Sequence, residues 1–541
     1  MKSMRIAVLL ILLLTAGAAP AVTPELGKSK LRRLVKLPTI SFPPDWSFDA
    51  ENGFRLGSQG GDVAARLEDL RRELTLDPGA ADSYRQLGSL LAELNEPMRA
   101  QAARARAIQL YRRRVELQPD NAPVLREFGT ALAEAGQSEE GESMLRRAVQ
   151  LAPREWRGWL ALGRLLDTES RRDIFERARV APDARTGARG LAASTGTMLA
   201  PDRVALARRR LEEAGTCYEA ALTNGMDQAE IHLRRGLHRT LQSFLLNEIK
   251  EAAGEHVPET EILSGYFSPE TVADLRRASE LNPRDYRLMG NLALYEVYGM
   301  NARSGRKGLG TDATWQTLPE GTQRSLRRTM NRLEELAEDP DTRLAAGALE
   351  ILGILQGPVL HEPYAAVSSL ERSLALDPTR SQAWELAAGT LARTGNYEEL
   401  LSLCEDRLRR EDTVRSHMLL AKAYEKLKRW EEAEAEILAV LRKSPEDFTG
   451  TLSLAALLLR RGDNPETLAE AGGWLQRCDK VYSSLTSAQK NRQQVIDFTL
   501  TRAIYLALTD DLDNARQWVN SIIENDKGNE LAREIQSAMA Y

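Results

Sequence analysis

Beyond residue 60, apolar residues recur three and four positions apart, and each apolar run ends at a glycine or a polar break. In the unit from Ala122 to Glu155, Phe128, Gly129 and Leu132 stand seventh, eighth and eleventh, Gly136 interrupts, and Ala148 and Pro153 follow at the twenty-seventh and thirty-second places. The next unit repeats the layout, with Trp159 fourth, Leu162 and Gly163 seventh and eighth, and Leu166 eleventh. This period predicts two amphipathic helices joined by a turn, rather than strands. The small residue in eighth place leaves room where two helix backbones come close. One such hairpin cannot bury its own apolar face, so neighbouring hairpins must stack.

A second signal fixes the phase. The tripeptides Leu76-Asp77-Pro78, Leu117-Gln118-Pro119, Leu151-Ala152-Pro153, Val180-Ala181-Pro182, Leu281-Asn282-Pro283, Leu376-Asp377-Pro378 and Lys443-Ser444-Pro445 recur, and Pro119 and Pro153 are 34 residues apart. Proline lacks an amide donor, so each tripeptide marks a helix end. Tyr84, Leu87, Gly88 and Leu91 form another copy. A late copy runs from Val414 to Asp447 through Leu420, Ala421, Tyr424, Trp430, Ala433, Ile437, Val440 and Pro445. Trp384, Ala387, Ala388 and Leu391 precede it, and Leu454, Ala455 and Leu458 follow it.

On these residues the chain resembles the tetratricopeptide repeat family, whose 34-residue pattern is W-x2-L-G-x2-Y, then A-x3-F, A and P. The resemblance implies an all-α, right-handed superhelical solenoid of antiparallel helix pairs. It covers residues 61–182 as an N-terminal array and 341–529 as a C-terminal array, with 530–541 as a capping helix. Residues 183–340 keep long helical patterns but lose the repeat, with inserted loops at 252–267 and 300–318.

The first 60 residues have a different character. Lys2 and Arg5 precede an apolar run from Ile6 to Leu14, and Ala16, Ala18, Ala19 and Ala21 follow, which is the layout of a secretory signal peptide over 1–21. The run is shorter than the roughly 20 apolar residues that a bilayer requires, so cleavage after Ala18 or Ala21 is expected, and export to the periplasm or beyond. Residues 22–60 carry Pro24, Pro38, Pro43 and Pro44 with a basic cluster, and are expected to be a tether or a strap lying on the fold. Phe42, Trp46, Phe48 and Phe54 in that segment call for a surface to dock on.

Composition narrows the chemistry. Of the 541 residues, 43% are hydrophobic and 28% charged, which is too apolar for general disorder. With 73 basic and 78 acidic residues the net charge is −5, so no bulk basic field points to nucleic acid. Three cysteines and five scattered histidines leave little for a disulfide framework, a metal site or a cofactor. Cys217, Cys404 and Cys478 fall in second-helix patterns, where buried thiols are expected. The glycine-rich, basic stretch Gly305 to Thr311 lacks the spacing and the preceding strand of a phosphate loop. No Ser/His/Asp or Cys/His pattern nominates a catalytic centre, so the chain is not expected to be an enzyme.

What remains is a protein-interaction scaffold of the cell envelope. The family resemblance implies that first helices line a groove for a peptide or protein. At the matching places stand Asp82, Arg85, Arg126, Thr130, Arg157 and Arg164 in the front half, and Glu385, Lys422, Glu425, Lys426, Arg460 and Arg461 in the rear half, of which Arg85, Arg126, Arg157, Arg164, Lys422, Lys426 and Arg460 are the candidate groove. Both sets lean basic in an acidic chain, so the expected partner is acidic, and the four front arginines are expected to repel one another until it enters. The alternative is an accessory role in polysaccharide or outer-membrane assembly.

Overall fold

The computed structural model describes residues 24–38, 47–49, 53–56, 60–94, 96–177, 199–225, 227–303, 315–462, 464–484 and 492–539. The expected signal peptide, Phe42, Trp46, the tripeptide at 180–182 and the glycine-rich stretch at 305–311 lie outside them. The described residues form an all-α repeat solenoid with one short hairpin, in two compact units. One lies within Pro43–Thr390, and the other within Met1–Phe42 together with Leu391–Tyr541.

The first unit begins with strands β1 (Ser47–Asp49) and β2 (Gly53–Arg55), paired antiparallel with Phe48 opposite Phe54. Helices α2 (Gly60–Leu76), α3 (Ala81–Glu93), α4 (Pro97–Leu117), α5 (Ala122–Glu134), α6 (Ser138–Leu151) and α7 (Trp156–Arg172) follow. Next come α8 (Pro201–Gly225), α9 (Ala229–Ala252), α10 (Glu259–Tyr266), α11 (Pro269–Leu281), α12 (Tyr286–Arg303), α13 (Glu320–Ala337), α14 (Thr342–Ile354) and α15 (Pro363–Leu376). Helix α16 (Ser381–Thr394) crosses the division, which falls inside the stretch 341–529. The second unit holds α1 (Pro24–Leu34), α17 (Tyr397–Arg410), α18 (Val414–Lys426), α19 (Trp430–Lys443), α20 (Phe448–Arg461), α21 (Pro465–Ser484), α22 (Arg492–Leu508), α23 (Leu512–Asn525) and α24 (Glu530–Ala538).

The recurring prolines act through the turn that follows each second helix. Helices end at Leu76, Leu117, Leu151, Leu281, Leu376 and Lys443, one residue before the middle position of each tripeptide. The middle residue then accepts a backbone hydrogen bond from the residue three ahead: Asn121 to Gln118 at 3.2 Å, Glu155 to Ala152 at 3.0 Å, Asp447 to Ser444 at 3.0 Å. Proline thus sits second in a β-turn, where its fixed φ is already suited to the bend. The donor residue becomes the cap of the next first helix. Asn121 accepts from Val124, Glu155 from Arg157 and Gly158, and Asp447 from Gly450.

Within a pair, the turn needs a left-handed residue, supplied by Gly136 at φ 83° and Gly395 at φ 80°. Lys428 and Asp510 take the same conformation without being glycine. The two helices of a pair then meet at the small residue in eighth place. A Cβ on Gly129 would lie 2.9 Å from the Gly141 carbonyl oxygen, and one on Gly163 would lie 3.1 Å from the Tyr218 ring. Larger residues fill the space around these contacts. Leu145, Leu160, Leu162, Leu166, Tyr218 and Ile231 form one buried cluster across four helices, and Phe448, Leu452, Leu475, Cys478 and Phe498 form its counterpart in the second unit.

The described parts of the proline-rich N-terminal segment are seated on the helices. Phe54 is buried against the rings of Phe267, Tyr295 and Tyr298, with centroids 5.4 to 5.9 Å away. Asn291 clamps its backbone, accepting from the Phe54 amide at 2.7 Å and donating to its carbonyl at 3.0 Å. In the second unit, α1 lies against α20, α22 and α24.

If close approach at Gly163 sets the pairing of α7 with α8, Gly163→Leu should overpack against Tyr218. The expected cost is about 1–3 kcal/mol, read as a lower midpoint in thermal or denaturant unfolding; an unchanged midpoint would mean the contact is not limiting.

Candidate functional site

In the first unit, the first helices α5, α7 and α9 share one side, and a cavity of about 230 Å3 opens between them. Leu145, Leu165, Leu237 and Leu241 give it apolar lining, and Glu134, Arg164, Asp167, Arg172, Arg234, His238 and Tyr218 give it polar lining. The placement follows from the repeat. Arg164 and Asp167 are nearly one helical turn apart on α7, directly after the Gly163 contact that lets the Tyr218 ring come in beneath them.

Asp167 organises the base. It is only 5% exposed, as is His238, and Tyr218 is 1% exposed. The Tyr218 hydroxyl donates to Asp167 Oδ2 at 2.7 Å, and His238 Nδ1 lies 2.7 Å from Oδ1. With the carboxylate ionised, Nδ1 carries the proton and donates it. Burial pushes the Tyr218 hydroxyl well above the usual phenol range, and the Asp167 charge adds to the effect. The two rings pack at 5.2 Å, and Gly215 leaves the space that the His238 ring occupies.

An acid, a histidine and a hydroxyl in one cluster invite a catalytic reading, but the geometry is that of a satisfied brace. Both Asp167 oxygens accept from buried partners, and the nearby threonine hydroxyls bond backwards along their own helices, Thr130 to Arg126 O at 2.9 Å and Thr168 to Arg164 O at 3.1 Å. No three His, Cys, Asp or Glu side chains gather at metal-binding spacing among the described residues. The three cysteines are buried and unpaired. Burial drives each thiol up to about 12, away from reactive thiolate.

The expected basic strip is differently built. Arg85 pairs with Asp82 at 2.7 Å and Glu134 at 2.9 Å. Arg126 pairs with Glu127 at 2.5 Å and Glu155 at 3.0 Å. Arg157 lies 3.6 Å from Glu155 and over the Trp156 ring at 4.6 Å. Neighbouring carboxylates therefore neutralise three of the four front arginines, so the strip is not a row of mutually repelling cations. Burial opposes the charge of Arg85 and Arg126, yet their acid partners hold both above the ordinary range. Arg164 differs: it is exposed at the cavity rim and its guanidinium forms no ion pair among the described residues.

In the second unit, Lys422, Lys426 and Arg460 lie around Glu425, the buried acid among the rear positions. Glu425 is 1% exposed, with Arg460 at 2.9 Å and Lys426 at 3.3 Å. Burial pulls the Lys422 amine below the ordinary lysine range, and Lys426 beside it adds to this. The residues that sequence reasoning missed, Asp167, Tyr218 and His238, share one faint signal: Asp167 directly follows Leu165 and Leu166 on a face that the repeat buries.

Removing the Tyr218 hydroxyl leaves one buried Asp167 oxygen without its donor. Tyr218→Phe should cost about 1–3 kcal/mol in unfolding measurements, the penalty of an unsatisfied buried acceptor. Tyr364→Phe, at a residue 71% exposed, should cost almost nothing.

The sequence of residues 407–477 matches the family model described as tetratricopeptide repeat. No curated protein matches the chain. Among solved structures, the chain is similar to yeast Tom70, at 13% identity over 89% of this chain and 92% of that one, with a TM-score of 0.32. It is also similar to a monomeric mutant of IFIT1 with Gppp-AAAA, at 15% identity over 71% and 68%, TM-score 0.34, and to the P58(IPK) TPR domain, at 14% identity over 82% and 98%, TM-score 0.18. Residues 407–477 thus match the tetratricopeptide repeat model, and the same turn, cap and small-residue contact recur in other helix pairs of the chain.

Proposed function

We propose that the chain is a non-catalytic scaffold that takes a protein or peptide partner along the first-helix side of α3, α5, α7 and α9, after export to the cell envelope. The observation that carries this reading is the cavity between α5, α7 and α9, lined by four leucines and by the exposed Arg164. Apolar walls give a partner side chain somewhere to be buried, and an unpaired guanidinium fixes its orientation. An acidic group of the partner meets Arg164, with an apolar neighbour in the cavity. Because Arg85 and Arg126 already hold carboxylates, they position the first helices against one another and contribute little new charge to the partner.

Two measurements test the reading. Arg164→Glu should weaken capture of the partner from an extract of the source cell at least tenfold, on the order of one charge-assisted hydrogen bond, with helix content unchanged. Arg113→Glu, at an exposed position on the second helix α4, should capture as the unaltered chain does; equal capture by both variants overturns the site. Protein recovered from that cell should begin at Ala19 or Val22; an intact Met1 in the soluble fraction overturns the envelope assignment.

A further inference from the structure

The second unit has its own first-helix side, formed by α20, α22 and α24, and it is already filled by residues 24–38 of the same chain. Leu31 and Val35, one helical turn apart, are 2% and 1% exposed, and Leu37 is buried beside them. Arg460 Nη1 donates to the Val35 carbonyl at 2.8 Å, immediately beyond the last residue of α1. Glu425 holds that guanidinium in place from below. The result is a fixed cation at a helix C-terminus, where unpaired carbonyls and the helix dipole both favour positive charge. At the other end Lys28 reaches Asp510 at 2.7 Å. Asp510 stands at φ 67°, in the left-handed turn conformation that Gly136 and Gly395 supply in other pairs. Aspartate tolerates that conformation better than most residues, and here its carboxylate also reaches the basic helix.

We infer that this groove is a recognition site for a basic amphipathic helix, that residues 24–38 are its resident occupant, and that a partner helix of the same chemistry enters by displacing them. The matching partner carries a lysine or arginine three residues before the first of two apolar residues spaced four apart, and presents its C-terminal carbonyls to Arg460. This goes beyond the scaffold reading, which concerns the other unit and an acidic partner. Two features make the occupant exchangeable. It is a single N-terminal helix held at Leu31, Val35 and Leu37, at Lys28 and at the Val35 carbonyl, so its release is a local opening that leaves the helix pairs folded. Its fit is also incomplete: Arg32 Nε is buried without a hydrogen-bond partner. The position of the segment, more than 400 residues from Arg460 in sequence, means that release breaks no helix pair.

The test uses a labelled peptide of residues 24–38 as the probe and the full chain as the receptor. Leu31→Asp with Val35→Asp in the chain should vacate the groove, so that the peptide binds this variant at least tenfold more tightly than it binds the unaltered chain. Adding Arg460→Ala to the variant should remove that gain, and a peptide with Lys28→Glu should bind more weakly. Equal binding to the variant and the unaltered chain, or no binding to a variant of intact helix content, overturns the proposal and leaves residues 24–38 as a fixed part of the fold. Should the variant fail to fold, hydrogen exchange of the unaltered chain decides: amides of residues 31–35 should exchange at least tenfold faster than those in the middle of α20, and equal rates overturn it. Loss of Arg164-dependent capture bears on the scaffold reading alone, because Arg164 lies in the other unit.

Discussion

The distance between helix backbones inside each pair governs everything else in this chain. At Gly129 the next helix comes so near that a methyl group would stand 2.9 Å from a carbonyl oxygen, and at Gly163 an aromatic ring fills the space a side chain would need. Close pairing puts the apolar faces of both helices into one buried layer, and stacking of pairs closes that layer from either side. The turns are adapted to the same end. A left-handed residue, glycine in two pairs and Lys428 or Asp510 in two others, reverses the chain inside a pair, and a proline-centred β-turn passes it to the next pair, with the turn's last residue in place to cap the following helix.

Function inherits this geometry. Because first helices follow one another along a single side, side chains from different repeats meet there although they are far apart in sequence. The contact at Gly163 is the clearest case: it admits Tyr218, whose hydroxyl braces Asp167, which in turn holds His238, and these three form the floor beneath Arg164. The acids that neutralise Arg85 and Arg126 belong to the same logic. An ion pair between neighbouring first helices contributes little stability where it is exposed, but it fixes spacing, while Arg164 at the cavity forms no such pair among the described residues. In the second unit Glu425 does the equivalent for Arg460.

Much of this was legible in the sequence, and the reasons differ by element. The helix pairs could be read because glycine, alanine and proline at fixed phase answer to backbone requirements that no tertiary context changes. The seat of Phe54 could be anticipated as a need for a surface, since four aromatics in a proline-rich stretch must go somewhere, but Phe267, Tyr295 and Tyr298 could not be named. Charge was read least well. Arg85 and Arg126 stand where the repeat places groove residues, yet Asp82 and Glu127 beside them and Glu134 and Glu155 on the following helices decide what charge they show. The brace of Asp167, Tyr218 and His238 joins three helices with 71 residues between its ends, and only folding brings it together. The docking of Leu31 and Val35 beside Arg460 is longer in range still, and neither segment announces the other.

The central claim is that recognition belongs to first helices, with second helices serving the packing. Hydrogen exchange along the full chain, with and without the captured partner, measures this directly. Slowed exchange and masked side chains concentrated on α3, α5, α7 and α9 are the expected result. Protection confined to α4, α6 and α8 would contradict it and move the partner to the opposite side of the repeats.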